Sequence, residues 1–447
     1  MTASLSRRPL VLFLAFGLCL APAGACRSGV GDDDSAGDDS PEDDTSGDDT
    51  SDDDNADGPP PGSPTFWNDV APILTKNCLA CHVDGGIAPM PLGTYDEVLP
   101  YAASIRSATE DREMPPWNLD NSGECNTYSN ALWLSDEDIE TIGAWVDAGS
   151  WEGESENPGE PPKPPTLDRV DLSLDIGAEY VPQGEGEHAD DEYRCFVLRP
   201  DLPEDRFATA YEIVPGEPRV VHHVALYRLL TYNELAMAIA NDASEPGPGY
   251  RCFGGPGVGD AHFMGLWFPG MGAQTLPDNS GLRILADLGV ILQVHYNLEN
   301  GPMPDRTRMD LTLEDSVERE GVIYTLSNFD LELPPGEDLV EQTYEYTIPI
   351  ETPDAKLWGV VPHMHLLGDS QRLEVIRGNE SSCLVDVPRW DFHWHAFAMY
   401  TEPIELRGGD TLRLTCGYDT TGETETTVYG EGTHDEMCVT WMYLTES

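Results

Sequence analysis

The chain has 447 residues, with 24 Lys plus Arg against 82 Asp plus Glu, a formal charge of −58. That balance argues against nucleic-acid partners, which need a basic footprint. The length suffices for roughly two to four domains with proper hydrophobic cores.

Residues 1–25 run from Arg7 and Arg8 through the apolar stretch PLVLFLAFGLCLAPA to AGA before Cys26. This is the layout of a bacterial export signal. The AGAC end resembles a lipoprotein signal and marks Cys26 as a candidate lipid site, although Leu or Val is more usual where Ala23 stands. No later apolar run approaches the roughly 20 residues needed to span a bilayer. The expected location is therefore extracytoplasmic (bacterial periplasm, outer membrane or cell surface), with membrane contact only through a lipid on Cys26.

Residues 26–64 form an acidic tether, with fourteen carboxylates between residues 32 and 57 and no apolar residue there beyond two alanines. Such a segment cannot bury enough surface to fold and repels itself into an extended form. From 65 to 153 the pattern turns helical. In LSDEDIETIGAWVDAGS, Ser135 is a predicted N-cap, and Ile139, Ile142 and Trp145 share a helical face. The stretch 154–169 reads as a stiff proline linker setting this small helical module apart from the rest of the chain.

Within the module, NCLACH places Cys78, Cys81 and His82 in the spacing that attaches a c-type heme. Two thiols form thioethers to the vinyl groups and the adjacent imidazole ligates iron, so order and spacing are set by the porphyrin. Met114 in DREMPPW is the favoured second axial ligand, with Met90 in APMPLGTY as its competitor. The module resembles the small cytochrome c domains fused to bacterial oxidoreductases.

From residue 170 onward the chain breaks into short runs rich in Val, Tyr and Thr, bounded by Gly, Pro and Asp, such as VVHHVALYRLL, GVILQVHYNL and KLWGVVPHMHLLG. The pattern predicts antiparallel β-sandwiches, two in tandem over 170–318 and 319–447. The expected fold class is thus mainly β, two jelly-roll-like sandwiches behind a small α-helical cytochrome c domain. Ten cysteines are present. Setting aside Cys19 in the signal, Cys26, Cys78 and Cys81, six remain, enough for three disulfides in an exported chain.

Three histidine clusters lie in these strand-like runs: His222 with His223, then His295, then His363 with His365. A spacing of two puts His363 and His365 on one face of a strand, where both can grip one metal. Adjacent His222 and His223 would point to opposite faces of a regular strand, so to share an ion the strand must bulge or end there, or the rings must use different nitrogens. Met437, in GTHDEMC, adds a thioether, a poor zinc ligand but a good one for Cu(I). His393 with His395, and His188, His262 and His434, read as residues without a metal role.

The ordered runs VVHHV, LQVHYN, HMHLLG and DEMC, over residues 170–447, resemble the copper type II, ascorbate-dependent monooxygenases. The resemblance implies two coppers: an electron-storing one on His222, His223 and His295, and a dioxygen-binding one on His363, His365 and Met437. It also implies a disulfide between Cys416 and Cys438, whereas Cys125, Cys195, Cys252 and Cys383 admit three pairings. Dioxygen, a small organic substrate with a C–H bond to hydroxylate, and ascorbate or a redox protein as donor are the expected partners. The heme on the same chain is expected to pass electrons to the histidine-only copper, replacing or supplementing ascorbate. Two positions depart from the peptide-amidating members, Val361 for an arginine and Trp441 for a tyrosine, so peptide amidation is not implied. A non-catalytic electron-transfer or copper-handling protein is the alternative.

Overall fold

The structure, a computed structural model, describes residues 58–447 apart from 85, 87, 162, 185–190, 253–254, 260–261, 278, 299–300, 393, 395 and 431–434. The segment 1–25, Cys26 and the acidic run lie outside the described residues, as do His188, His393, His395 and His434. Among the described residues no helix is long and apolar enough to cross a membrane.

The N-terminal part is helical: Phe66–Val70, Ala71–Asn77, Tyr95–Val98, Ala102–Glu110 and Asp136–Asp147. The last of these starts where the sequence predicts, with the Ser135 hydroxyl accepting from the Asp138 N–H at 3.1 Å. Asp136, Glu137 and Asp138 fill its first turn, where negative charge meets the positive end of the helix dipole. Ile142 and Trp145 are fully buried against Phe66, Val70 and Leu74, forming a small core of their own.

Everything after residue 170 is mainly β. A five-stranded sheet runs in the order Tyr250–Arg251, Asp191–Leu198, Val290–Asn297, Val221–Arg228 and His262–Trp267. Its central strand, Val290–Asn297, is buried along nearly its whole length, as its unbroken apolar run requires when both faces are covered. A second, four-stranded sheet orders Val340–Thr347, Thr411–Tyr418, Gly368–Arg377 and Glu380–Val387. Here Val340–Thr347 alternates between more and less exposed positions, the pattern of a sheet with one wet face.

A nine-stranded sheet serves both halves. Leu172–Asp175, Arg308–Glu314, Arg206–Val214 and Ser280–Ile284 form one end, with the short Gln274–Thr275 also pairing with Arg206–Val214, and Arg319–Ser327, Val439–Glu446, Ala355–His363 and Ala398–Leu406 form the other. The halves join where Arg319 and Glu320 pair in parallel with Ser280 and Gly281. Two large cores result, and the first reaches across the join to bury Trp358, Val361 and Tyr443.

The helical module is less separate than the proline-rich stretch suggests. Residues 117–133, counted within it by sequence, give Trp117, Leu119 and Tyr128 to the core of the second half. Ser129 N–H donates to Met399 O, Thr401 N–H to Thr127 O, and Cys125 is bonded to Cys383. Proline segments lack N–H donors but keep their carbonyls, and Pro165 O accepts from Ala273 N–H at 2.6 Å, seating the linker on the first half.

The Cys125–Cys383 bridge closes a sequence separation of 258. Loop-closure entropy for so long a span lies at the upper end of the usual range, on the order of 5 kcal/mol. Cys125→Ser with Cys383→Ser should therefore give a separate, lower-temperature unfolding transition for the helical module in calorimetry. A single unshifted transition would show the clip to be energetically idle.

Candidate metal centres

Three imidazoles meet on the five-stranded sheet. Val221–Arg228 pairs with Val290–Asn297, but the register slips between Val221, opposite Tyr296, and His223, opposite His295. The extra residue is His222, and the bulge lets two adjacent side chains turn to one side. His222 Nδ1 lies 3.2 Å from His223 Nδ1, and His295 Nδ1 lies 3.3 Å from His223 Nδ1. Ligand nitrogens of all three lie within 4.8 Å of one another. Lone pairs so crowded are mutually repulsive unless a proton or a metal ion sits among them.

The surroundings hold this cluster in place. Tyr193 stacks on His295 with centroids 4.1 Å apart and planes 6° apart. Ahead of the bulge, Gly216 passes so close to the segment at Arg306 that a Cβ there would lie 2.3 Å from Arg306 N. Buried Asp305 accepts from Glu217 N–H at 2.9 Å and from Tyr296 OH at 2.9 Å, tying the loop to the strand that carries His295.

The second set forms where strand Ala355–His363 ends. The sequence expectation of a continuous strand through His363 and His365 is corrected here: the strand stops at His363, and His365 lies in the following turn with Met364 wholly buried between them. The reason is Glu436, whose carboxylate accepts from His365 N–H at 3.0 Å, Leu367 N–H at 2.7 Å and Met437 N–H at 3.0 Å. Those amides are drawn to one carboxylate instead of a neighbouring strand. The two rings still face each other edge-on, 5.1 Å between centroids. His365 Nδ1 is 3.0 Å from Asp435 O, so Nδ1 faces the backbone and Nε2 is the nitrogen that would serve a metal. Trp390 Nε1–H donates to His365 O at 3.1 Å, and Tyr418 OH to Met437 O at 3.0 Å.

Sequence reasoning missed Glu436. Its only signal is an acid wedged against the methionine and Cys438, a position now seen to be fully buried. Burial raises its carboxyl to about 7, opposed by the three backbone N–H groups it accepts from. Because it orients two ligand-bearing segments at once, Glu436→Gln should weaken Cu(I) binding at the second set by about 10–100-fold. The first set should be unchanged in chelator competition. Equal weakening at both would remove the positioning role.

His223 and, beyond it, His363, His365 and Met437 border one cavity of about 610 Å³. The mixed imidazole and thioether set suits Cu(I), and the all-imidazole set suits a copper that only changes charge. His262, assigned no metal role by sequence, also lines this cavity, at the start of strand His262–Trp267.

The heme motif opens on a different cavity. Helix Ala71–Asn77 ends at Cys78, and the backbone turns so that Cys81 and His82 N–H both donate to Cys78 O. Cys78 and Cys81 are free thiols, whereas Cys125–Cys383, Cys195–Cys252 and Cys416–Cys438 are disulfides. The last is the pair implied by resemblance, and the first two settle the pairings left open. Burial, then the neighbouring thiol, pushes Cys78 up to about 12, and burial raises Cys81. His82 Nδ1 lies 3.0 Å from Met90 O, leaving Nε2 as the donor. Cys78, Cys81, His82 and Met114, but not Met90, line a cavity of about 440 Å³ that His222 also lines. Paired thiols, a free imidazole nitrogen and a thioether on one cavity are a donor set that fits heme c.

Comparison with known proteins agrees with the β region. Residues 333–446 match the family model described as copper type II ascorbate-dependent monooxygenase, C-terminal domain. The chain is 24% identical over 277 residues to a tyramine beta-hydroxylase of Caenorhabditis briggsae, covering 56% of this chain and 45% of that protein. It is 24% identical over 298 residues to a peptidylglycine alpha-amidating monooxygenase of Rattus norvegicus, covering 63% and 28%. Against DBH-like monooxygenase protein 1 of Homo sapiens it is 25% identical over 253 residues, covering 51% and 39%. The chain thus spans less than half the length of these curated relatives. Together the matches liken residues 333–446 to the C-terminal domain of that family and the β region to proteins named as monooxygenases.

Proposed function

We propose that the chain is an extracytoplasmic copper monooxygenase that hydroxylates a C–H bond of a small organic substrate. The balance is R–H, dioxygen, two electrons and two protons giving R–OH and water, with ascorbate or a redox protein as the source of electrons. When bound, copper supplies one-electron storage on His222, His223 and His295 and dioxygen activation on His363, His365 and Met437, and heme c supplies a one-electron relay. The observation that carries the reading is that His223 of the all-imidazole set and all three members of the unlike set, His363, His365 and Met437, border one 610 Å³ cavity. A single metal-storage site has no need of that arrangement.

The residues divide the work. The bulge at His222 lets the first set gather three imidazoles. Glu436 and the Cys416–Cys438 bridge hold Met437 against the turn carrying His365. Cys78, Cys81 and His82 would hold the heme, and Met114 would supply it a thioether, since Met114 lines the cavity and Met90 does not. Its relay toward the first set is supported by His222 bordering that cavity and by Cys81 Sγ lying 3.7 Å from where a Gly270 Cβ would be. Three disulfides fit an oxidising compartment. Export through residues 1–25 with lipid on Cys26 belongs to the same reading.

Rapid mixing tests the relay. In anaerobic protein with heme reduced and copper oxidised, the Cu(II) signal should decay together with heme oxidation, at least as fast as turnover. Heme that stays reduced, or that is oxidised more slowly than turnover measured separately with dioxygen, would contradict the relay.

A further inference from the structure

The cavity beside the second donor set has a chemical pattern that narrows what it can hold. Thr325 stands opposite Trp441, and Trp441 opposite Val361, so the three form one row across neighbouring strands and share a face. Trp441 stacks on Phe263 with centroids 4.9 Å apart and planes 20° apart, and Tyr227 meets Phe263 edge-on at 5.8 Å. All five residues line the cavity. Among the described residues lining it there is no Lys or Arg, and none of the residues between 58 and 447 outside the described set is Lys or Arg either. Among the described residues lining it the one carboxylate is that of Glu234, whose Oε2 already accepts from Leu230 N–H at 2.8 Å and Thr231 N–H at 3.0 Å.

We propose that this site takes a neutral substrate with an apolar, aromatic-sized body and no carboxylate or phosphate, seated against Trp441, Phe263 and Val361. The inference rests on the reading that His363, His365 and Met437 are the oxygen-reacting side of the cavity. An anion entering here gives up its hydration with no cation to pair with, and does so in the field of a chain of formal charge −58. Among the described residues lining the cavity, an ammonium group would meet no carboxylate but that of Glu234, which is already engaged by two backbone N–H groups. An aromatic body gains offset and edge contacts with rings already in place.

Equilibrium dialysis of the copper- and heme-loaded protein without oxygen tests this, using propylbenzene, its terminal amine and the matching carboxylate, hydrocinnamate. Propylbenzene is expected to bind saturably, and each charged analogue at least about tenfold more weakly. Val361→Arg should reverse the order of propylbenzene and hydrocinnamate. Because Val361 is buried, Thr325→Lys at an exposed position of the same row is the second variant, expected to tighten hydrocinnamate at least about tenfold. Equal or tighter binding of either charged analogue by the natural protein, no saturable binding of propylbenzene, or a folded Thr325→Lys without effect would overturn the proposal. If propylbenzene binds with the expected preference but oxygen yields no hydroxylated product, the substrate class stands and the oxygenase reading fails.

Discussion

Met437→Leu is expected to lower product formation by on the order of a hundredfold or more, at or beyond what losing a ligand's supporting partner costs, while leaving copper on the first histidine cluster. Leucine nearly conserves the volume of this buried side chain, and such exchanges usually cost less than about 1.5 kcal/mol. The variant therefore removes the sulfur and little else. Met437→Ala would add a cavity worth roughly 2–5 kcal/mol beside Cys438, so reduced activity there could come from a displaced disulfide. Comparing the two separates thioether chemistry from packing. Unchanged product formation in Met437→Leu, with copper content intact, would show that the thioether is not the reacting ligand.

Cys78→Ser with Cys81→Ser should abolish covalent heme, seen as loss of heme absorbance that persists on denaturation, because both attachment bonds are made through these sulfurs. Both copper sets should stay loaded, since neither cysteine touches them. Turnover driven by a redox protein should then be lost, whereas turnover driven by ascorbate persists if ascorbate reaches the first set directly. The variant should fold, because the small core of Phe66, Leu74, Ile142 and Trp145 is built without the thiols. Undiminished redox-protein turnover in a heme-free protein would remove the heme from the electron path.

What was legible in the sequence was what depends on local spacing. Ser135 caps its helix because a hydroxyl three residues before an amide can reach it, a relation confined to one turn. That the strand must bulge or end at His222, or the two rings use different nitrogens, follows from the two-residue period of a strand, and the register slip shows that it bulges. Less legible was whatever depends on residues far apart in the chain. The turn at His365 is imposed by Glu436, 71 residues later, and nothing near His365 signals that its amide bonds to a carboxylate. The docking of residues 117–133 depends on Cys383 and on strand Ala398–Leu406, so a proline-rich stretch read alone overstated the independence of the helical module. Val361 and Trp441 were separate departures in sequence and become one feature only when the strands pair them.

X-ray absorption of the Cu(I)-loaded protein, natural and Met437→Leu, tests the pairing of an all-imidazole copper with a thioether copper most directly. Two coppers per chain are expected, with a sulfur scatterer in the natural protein that disappears in the variant while the imidazole signal remains. One copper per chain, or a sulfur signal that survives the substitution, would contradict the account.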